Sequence, residues 1–368
     1  MRIKRVEAFA ISIPLPAPVS DAVRVITHRD HYFVRVTTDD GLTGTGFTLG
    51  YDASLAMVAL TDVIYRPILV NADPMASSQL WSEMYRQSIQ AGRRGAALRA
   101  ISAIDIALWD LRGQYARLPV MQLIGTHATR LRCYATGGYF RDGQSLDDVA
   151  REYTHYRDLG FGAAKLKVGK YSGAEDARRL RAVRQAVGDD FEILLDANGG
   201  WADAPTAIAA MQRMEASRPY WIEEPVRADN VAAMARIAEA LDIPVATGEL
   251  EATRWAFADL LERGAADILQ PDATVCGGVT EWLRIAHMAA AFDIPVAPHY
   301  NWDVHTQLLA CVPNGLFIEY FVRSSGVKVF DDVLQNPMDV SEGTITPRAD
   351  PGFGWRFRED RIQQLRIG

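Results

Sequence analysis

The sequence predicts an α/β protein: a closed barrel of alternating strands and helices, preceded by a small α+β unit. Two observations carry that prediction. Short apolar strands begin near Leu131, Ala163, Phe191, Tyr220, Pro244, Asp267, Ile294 and Leu316, roughly 22 to 32 residues apart, which is the spacing of βα units. An ionisable residue stands just past the C-terminal end of nearly every one: Lys165 and Lys167, Asp196, Glu223, Glu249, Asp272, His299 and Glu319. Closing the sheet brings those ends to one face, where barrel active sites are built, whereas an open sheet would string them along an edge.

The composition narrows the partners. A chain of 368 residues, 49% hydrophobic and 23% charged, can bury the core of one large or two ordinary domains and is not disordered. With 46 acids against 39 bases its net charge is −7, which speaks against nucleic acid or an anionic membrane and for a small molecule. Cys133, Cys276 and Cys311 are odd in number and form no C-x-x-C pair, so neither a disulfide framework nor a zinc site is expected. The apolar start is broken by Glu7, Pro14, Pro16 and Pro18 and reads as a first strand, not a signal or anchor. The expected compartment is the cytoplasm.

Along the chain, residues 1 to about 50 read as an antiparallel sheet, with His31 to Thr37 and Leu42 to Phe47 flanking the Asp39-Asp40-Gly41 turn. Gly44-Thr45-Gly46 is not a phosphate loop, because position 49 is Leu49 and no helix opens there. From about 53 to 117 the apolar period becomes helical, through Ile101, Ile104, Ala107, Leu108 and Leu111. Arg93 and Arg94, between Gly92 and Gly95, could face an anion or simply sit on a surface loop. The first domain is expected over 1–125 and the barrel over 126–322. Within the barrel, Ser145 should cap a helix from Leu146 to Asp158, and another should run from Glu175 to Val187. Residues 323–368 are expected to return to the first unit.

The strand ends hold the chemistry. Ala164-Lys165-Leu166-Lys167-Val168 puts both lysines on one side of a strand. That is what a half-exposed strand shows; on a barrel strand it places two ammonium groups in the interior, where each depresses the other's pKa and one can serve as a base. Asp196, Glu223 and Glu249 end three successive strands, 27 and 26 residues apart. Any one of them alone could be a loop acid, but three in register need a cation, and an all-oxygen set suits a hard ion such as Mg²⁺. Glu224 should point away from that centre. Asn198 either reaches the substrate or serves the turn beside Gly199 and Gly200. Asp272 and His299 end neighbouring strands, where a carboxylate–imidazole hydrogen bond would raise the basicity of the histidine. Glu319 completes the ring as a hydrogen-bond donor if its pKa is raised.

The ordered set AKLKVG at 164–169, DAN at 196–198, WIEEP at 221–225, GE at 248–249, QPDATVCGG at 270–278, PH at 298–299 and IEY at 318–320 resembles the mandelate racemase subgroup of the enolase superfamily. The resemblance spans nearly the whole chain. It implies a (β/α)7β modified TIM barrel with an N-terminal α+β capping domain completed by the C-terminal tail. By position it also implies Mg²⁺ on Asp196, Glu223 and Glu249, Lys167 as base, and Lys165 as its tuning partner. The His299–Asp272 dyad then lies on the opposite face, and Glu319 on the enolate oxygen. No lysine stands at position 272, which argues against dipeptide epimerase and muconate cycloisomerase activity. Expected outcomes are dehydration of a sugar acid to a 2-keto-3-deoxy acid, racemisation or epimerisation of a 2-hydroxy acid, or cycloisomerisation of a sugar lactone. A non-catalytic member of the fold should lack an acid/base residue, and a nicotinamide oxidoreductase needs a glycine-rich strand–helix junction that is missing. Cap loops set specificity in such proteins, which points to Val19 to Arg29, with Arg24, His28 and Arg29 able to meet a distal carboxylate or hydroxyls; Tyr139 and Arg141, after the first barrel strand, and Trp302, after the seventh, are further pocket candidates. Further copies of the chain are the expected macromolecular partner.

Overall fold

The computed structural model describes residues 1–368. The chain opens with a long meander of β1 (Ile3–Ser20), β2 (Val25–Thr38) and β3 (Thr43–Leu49), all antiparallel. Gly46 sits inside β3 because the helix Ala96–Ala116 crosses it so closely that a Cβ would come 1.9 Å from the Ala103 carbonyl oxygen. The glycines therefore serve packing, as the hairpin reading expects.

The barrel strands are β4 (Leu131–Thr136), β5 (Ala163–Lys167), β6 (Glu192–Asp196), β7 (Trp221–Glu223), β8 (Val245–Thr247), β9 (Ile268–Leu269) and β10 (Ile318–Tyr320). They are parallel, in the order β10-β4-β5-β6-β7-β8-β9. The strand expected near Ile294 is not a regular one. Val296 instead makes single bridges to Leu269 and Gly315, because Pro295 and Pro298 have no N–H to donate to a ladder. Those bridges close the ring. The helix Leu146–Asp158 carries the full Ser145–Asp148 capping box, and the next runs Gly173–Val187, two residues longer at its start than expected.

Successive strand residues alternate between the barrel interior and the helix-covered exterior. Tyr134, Ala163, Leu194, Trp221, Ala246, Ile268, Ala297 and Phe317 face inward as one buried cluster that plugs the barrel. Tyr134 meets Trp221 and Phe317 edge-on at 5.5 and 5.9 Å between centroids. The cap docks through polar contacts: Ser102 Oγ accepts from Gly277 N at 2.9 Å, Asp105 accepts from Thr280 N and Oγ1, and Trp81 Nε1 donates to Gly277 O at 2.7 Å. In the tail, β11 (Thr344–Ile345) pairs with β4 and β12 (Arg366–Ile367) with β1, so the last residues tie both units together. No helix is long and apolar enough to cross a membrane.

Candidate active site

Strand register builds the site. Parallel pairing sets Lys167 opposite Asp196 and Asp196 opposite Glu223, while Lys165 lies one step deeper, level with Leu194 and Trp221. The charged row thus sits directly above the aromatic plug, with Lys165 Nζ 5.6 Å from the Tyr134 ring centroid. Lys165 and Lys167 are 1% and 4% exposed, which makes theirs an interior strand and not a half-exposed one. Glu249 reaches the same row through Gly248, whose φ of +120° suits glycine and whose missing Cβ would lie 2.7 Å from the Phe257 ring.

Ligand oxygens of Asp196, Glu223 and Glu249 all lie within 4.8 Å of one another, and all three residues are buried. Lys165 Nζ donates to Glu223 at 2.9 and 3.2 Å and also lies 2.7 Å from Glu319 and 3.3 Å from Asp196. Lys167 Nζ donates to Asp196 at 2.5 Å. Burial disfavours both ammonium groups, but Glu223 and Glu319 around Lys165, and Asp196 beside Lys167, outweigh it and hold both lysines above their usual range. Mutual depression of the two lysines is thus the weaker effect, felt by Lys167 as a smaller downward pull from Lys165. Burial, together with the charge of Asp196, pushes the Glu223 carboxyl up to about 8.

Across the row, His299 Nδ1 lies 3.1 Å from Asp272 Oδ2 and His299 Nε2 lies 3.4 Å from Glu249. Burial opposes a charged imidazole, yet Glu249 and the hydrogen bond to Asp272 push its pKa up to about 10. Glu319 differs from expectation. Burial would raise its pKa, but Lys165 and His299 bring it down to about 2, and it accepts from Thr136 Oγ1 at 2.8 Å and Tyr300 N at 2.7 Å. It is an acceptor here, not a donor. Glu224 stands outside the cluster of ligand oxygens formed by Asp196, Glu223 and Glu249. It is buried, its Oε1 has no partner, and burial with the charges of Glu249 and Asp196 drives its pKa well up.

The donor set fits a hard divalent cation. Asp196, Glu223, Glu224, Glu249, Asp272 and Glu319 are all buried, against Lys165, Lys167 and His299, so carboxylates exceed cations even with the histidine charged. Asp196, Glu223 and Glu249 present oxygen alone, which matches Mg²⁺.

The candidate substrate residues divide. The side-chain Oδ1 of Asn198 is buried without a partner, and its backbone N–H donates to Asp196 Oδ1 at 2.9 Å. Tyr139 is buried, with its ring centroid 5.1 Å from Lys167 Nζ. Arg24 and His28 line a cavity in the cap, but Arg24 is held by Asp21 at 2.8 Å and His28 Nε2 by Asp52 at 2.8 Å. Trp302 is not at the mouth: it packs in the core against Tyr320 and Phe321, with Lys328 Nζ 3.1 Å from its ring centroid. Arg141 donates to Ser325 O in a separate cleft, and Arg94 lies 3.3 Å from Glu251. Sequence reasoning missed Tyr300, whose buried hydroxyl has no partner and whose ring lies 5.5 Å from the Arg29 guanidinium. It also missed Tyr51 and Arg99. The signal for Arg99 was a polar stripe of Arg99, Ser102 and Asp105 at three-residue steps through the otherwise apolar first half of the helix.

Comparison with known proteins places this architecture. Residues 5–125 match the mandelate racemase / muconate lactonizing enzyme N-terminal domain, and residues 148–361 match the enolase C-terminal domain-like family. The chain belongs to the mandelate racemase / muconate lactonizing enzyme family of the enolase superfamily. It is 37% identical over 365 residues to the L-talarate/galactarate dehydratase of Salmonella typhimurium, covering 97% of this chain and 89% of that one. It is 32% identical to the D-galactarolactone cycloisomerase of Agrobacterium fabrum, covering 100% and 99%. A racemase from Streptomyces coelicolor, crystallised with bound magnesium, superposes with a TM-score of 0.93 at 30% identity, covering 99% and 100%.

Proposed function

We propose that the chain is a Mg²⁺-dependent acid-sugar dehydratase, which removes the proton α to a carboxylate and then expels a β-hydroxyl. The observation that carries this reading is the flanking of the carboxylate row: Lys167 adjoins Asp196 at one end and His299 adjoins Glu249 at the other. A base and an acid thus stand on opposite sides of one small-molecule site. The similarity to a dehydratase over almost the whole chain supports the same reaction class.

Asp196, Glu223 and Glu249 would hold the ion, which when bound supplies the positive charge that makes an α-proton beside a carboxylate acidic enough to remove. Lys167 takes that proton at Nζ in its neutral form, which becomes accessible when Asp196, the carboxylate that otherwise holds it charged, is engaged by the ion. Lys165 keeps its charge, held by Glu319 at 2.7 Å, and is positioned to neutralise the oxygen on which negative charge develops. His299, oriented by Asp272, gives its proton to the departing β-hydroxyl, so the C–O bond breaks and water leaves. The resulting enol tautomerises to the 2-keto-3-deoxy acid. Glu319 acts by positioning Lys165 and the Tyr300 backbone.

The full-length similarity to a cycloisomerase supports a second reading, in which the same proton removal opens a sugar lactone. Incubating aldonic acids, aldaric acids and their lactones with the protein and Mg²⁺ in D₂O separates them. Accumulation of a 2-keto acid from an open-chain acid is the expected result. Turnover of lactones alone would replace the dehydratase reading with the cycloisomerase, and α-deuterium without keto acid would replace it with a racemase or epimerase.

A further inference from the structure

A cavity of about 420 Å³ lies in the cap, lined among others by Arg29 on β2, Tyr51 after β3, Arg99 at the start of the helix Ala96–Ala116, and Leu250. Leu250 directly follows Glu249, so the cavity adjoins the carboxylate row. Arg29 and Arg99 are 5% and 8% exposed. Each hydrogen-bonds only to a backbone carbonyl, Arg29 Nε donating to Val327 O at 3.4 Å and Arg99 Nη1 to Leu49 O at 3.1 Å. No protein carboxylate comes within ion-pair distance of either. The nearby acids are engaged elsewhere: Asp21 holds Arg24, Asp52 holds His28, and Asp30 accepts from Asp52 N at 2.9 Å and from Ser54.

A buried guanidinium without a counter-charge is costly, and its planar fork matches a carboxylate. We infer that Arg29 and Arg99 form a subsite for a second, distal carboxylate of the substrate, which makes sugar diacids, not monoacids, the preferred class. Tyr51, whose ring centroid is 4.9 Å from the guanidinium carbons of both Arg24 and Arg99, forms the wall between the paired and the unpaired arginine. The inference rests on the proposed reaction for its orientation: the carboxylate beside the acidic proton goes to the carboxylate row, and the other end to the cap.

The test compares a six-carbon aldarate, the aldonate of matched configuration and its 6-phosphate, each with Mg²⁺, on the native protein and on Arg99→Met and Arg29→Met. The native protein is expected to favour the aldarate in kcat/KM by at least about tenfold. Either variant should lose about 10- to 100-fold on the aldarate, chiefly in KM, and the ratio between diacid and monoacid should fall towards one. Without ligand, Arg99→Met should melt no lower than the native protein, since it removes an unpaired buried charge, whereas a purely structural arginine would lower the melting temperature. Equal or better use of the aldonate, equal losses on both acids, or preference for the 6-phosphate would overturn the subsite as assigned. Thermal shift with the same acids separates the two proposals. Stabilisation by the diacid alone, lost in both variants but without turnover, would keep the subsite and discard the dehydratase; turnover with no preference would do the reverse.

Discussion

At the barrel mouth Lys165 and Lys167 each lie within 3.3 Å of a carboxylate, whereas in the cap cavity the buried guanidiniums of Arg29 and Arg99 hydrogen-bond only to backbone carbonyls. The mouth carries an excess of acid and the cavity an excess of base. One region therefore calls for a cation and the other for an anion, and a substrate that is itself anionic bridges them. The difference also divides labour. Groups rooted on adjacent strands are locked by register and suit bond-making chemistry, while the cap residues come from a strand, a turn and a helix end, and suit recognition.

If that division holds, substitutions at the mouth reduce kcat on every substrate. Lys167→Ala and His299→Asn are each expected to lower kcat by about 10²- to 10⁴-fold while Mg²⁺ still binds, as measured by steady-state kinetics and metal titration. Near-normal turnover in either would break the comparison at its catalytic end. Glu249→Gln removes a carboxylate from the row and should weaken Mg²⁺ binding by about 10- to 100-fold by calorimetry; unchanged affinity would mean that the ion sits elsewhere.

The cap should show its own signature in stability rather than rate. His31 is fully buried, and its pKa falls from 6.5 to about 3, through burial and the nearby charges of Lys328 and Arg29, against the opposite pull of Asp30. Below about pH 6.5 the unfolded chain takes up this proton and the folded one does not. The stability His31 contributes is therefore complete above that pH and lost as pH falls towards 3, at roughly 1.4 kcal/mol per pH unit. His31→Phe should flatten the pH dependence of the melting temperature between 6.5 and 4; an unchanged slope would show that the imidazole titrates normally. The smallest effect belongs to the His28–Asp52 pair, 41% and 79% exposed, where Asp52→Asn should shift stability by less than about 1 kcal/mol in denaturant titration.

The same contrast explains what was legible in the sequence. Lys165, Lys167, Asp196 and Glu223 could be read because strand alternation and parallel register are simple periodicities, and a charge at an interior position stands out against them. The barrel count could be read as well, although Pro295 and Pro298 reduce its seventh strand to single bridges that an apolar run does not foretell. The sign of the Glu319 shift depends on Lys165 arriving from another strand, and the backbone at Glu224 turns to a φ of +39° just past β7, so neither was visible locally. Trp302 was expected at the mouth because it follows His299 closely. It begins the helix Trp302–Leu309, which turns its side chain back into the core. Arg99 lies 70 residues from Arg29 in sequence, and only the fold of the cap brings them to one cavity.

Lys167 removes the α-proton in the proposed reaction, and His299 completes the elimination from the other side. These two roles are tested most directly by following His299→Asn with Mg²⁺ and a substrate acid in D₂O by NMR. Deuterium should enter at the α-carbon without 2-keto acid forming, and neither process should occur in Lys167→Ala. Keto acid formation by His299→Asn, or α-exchange persisting in Lys167→Ala, would contradict them.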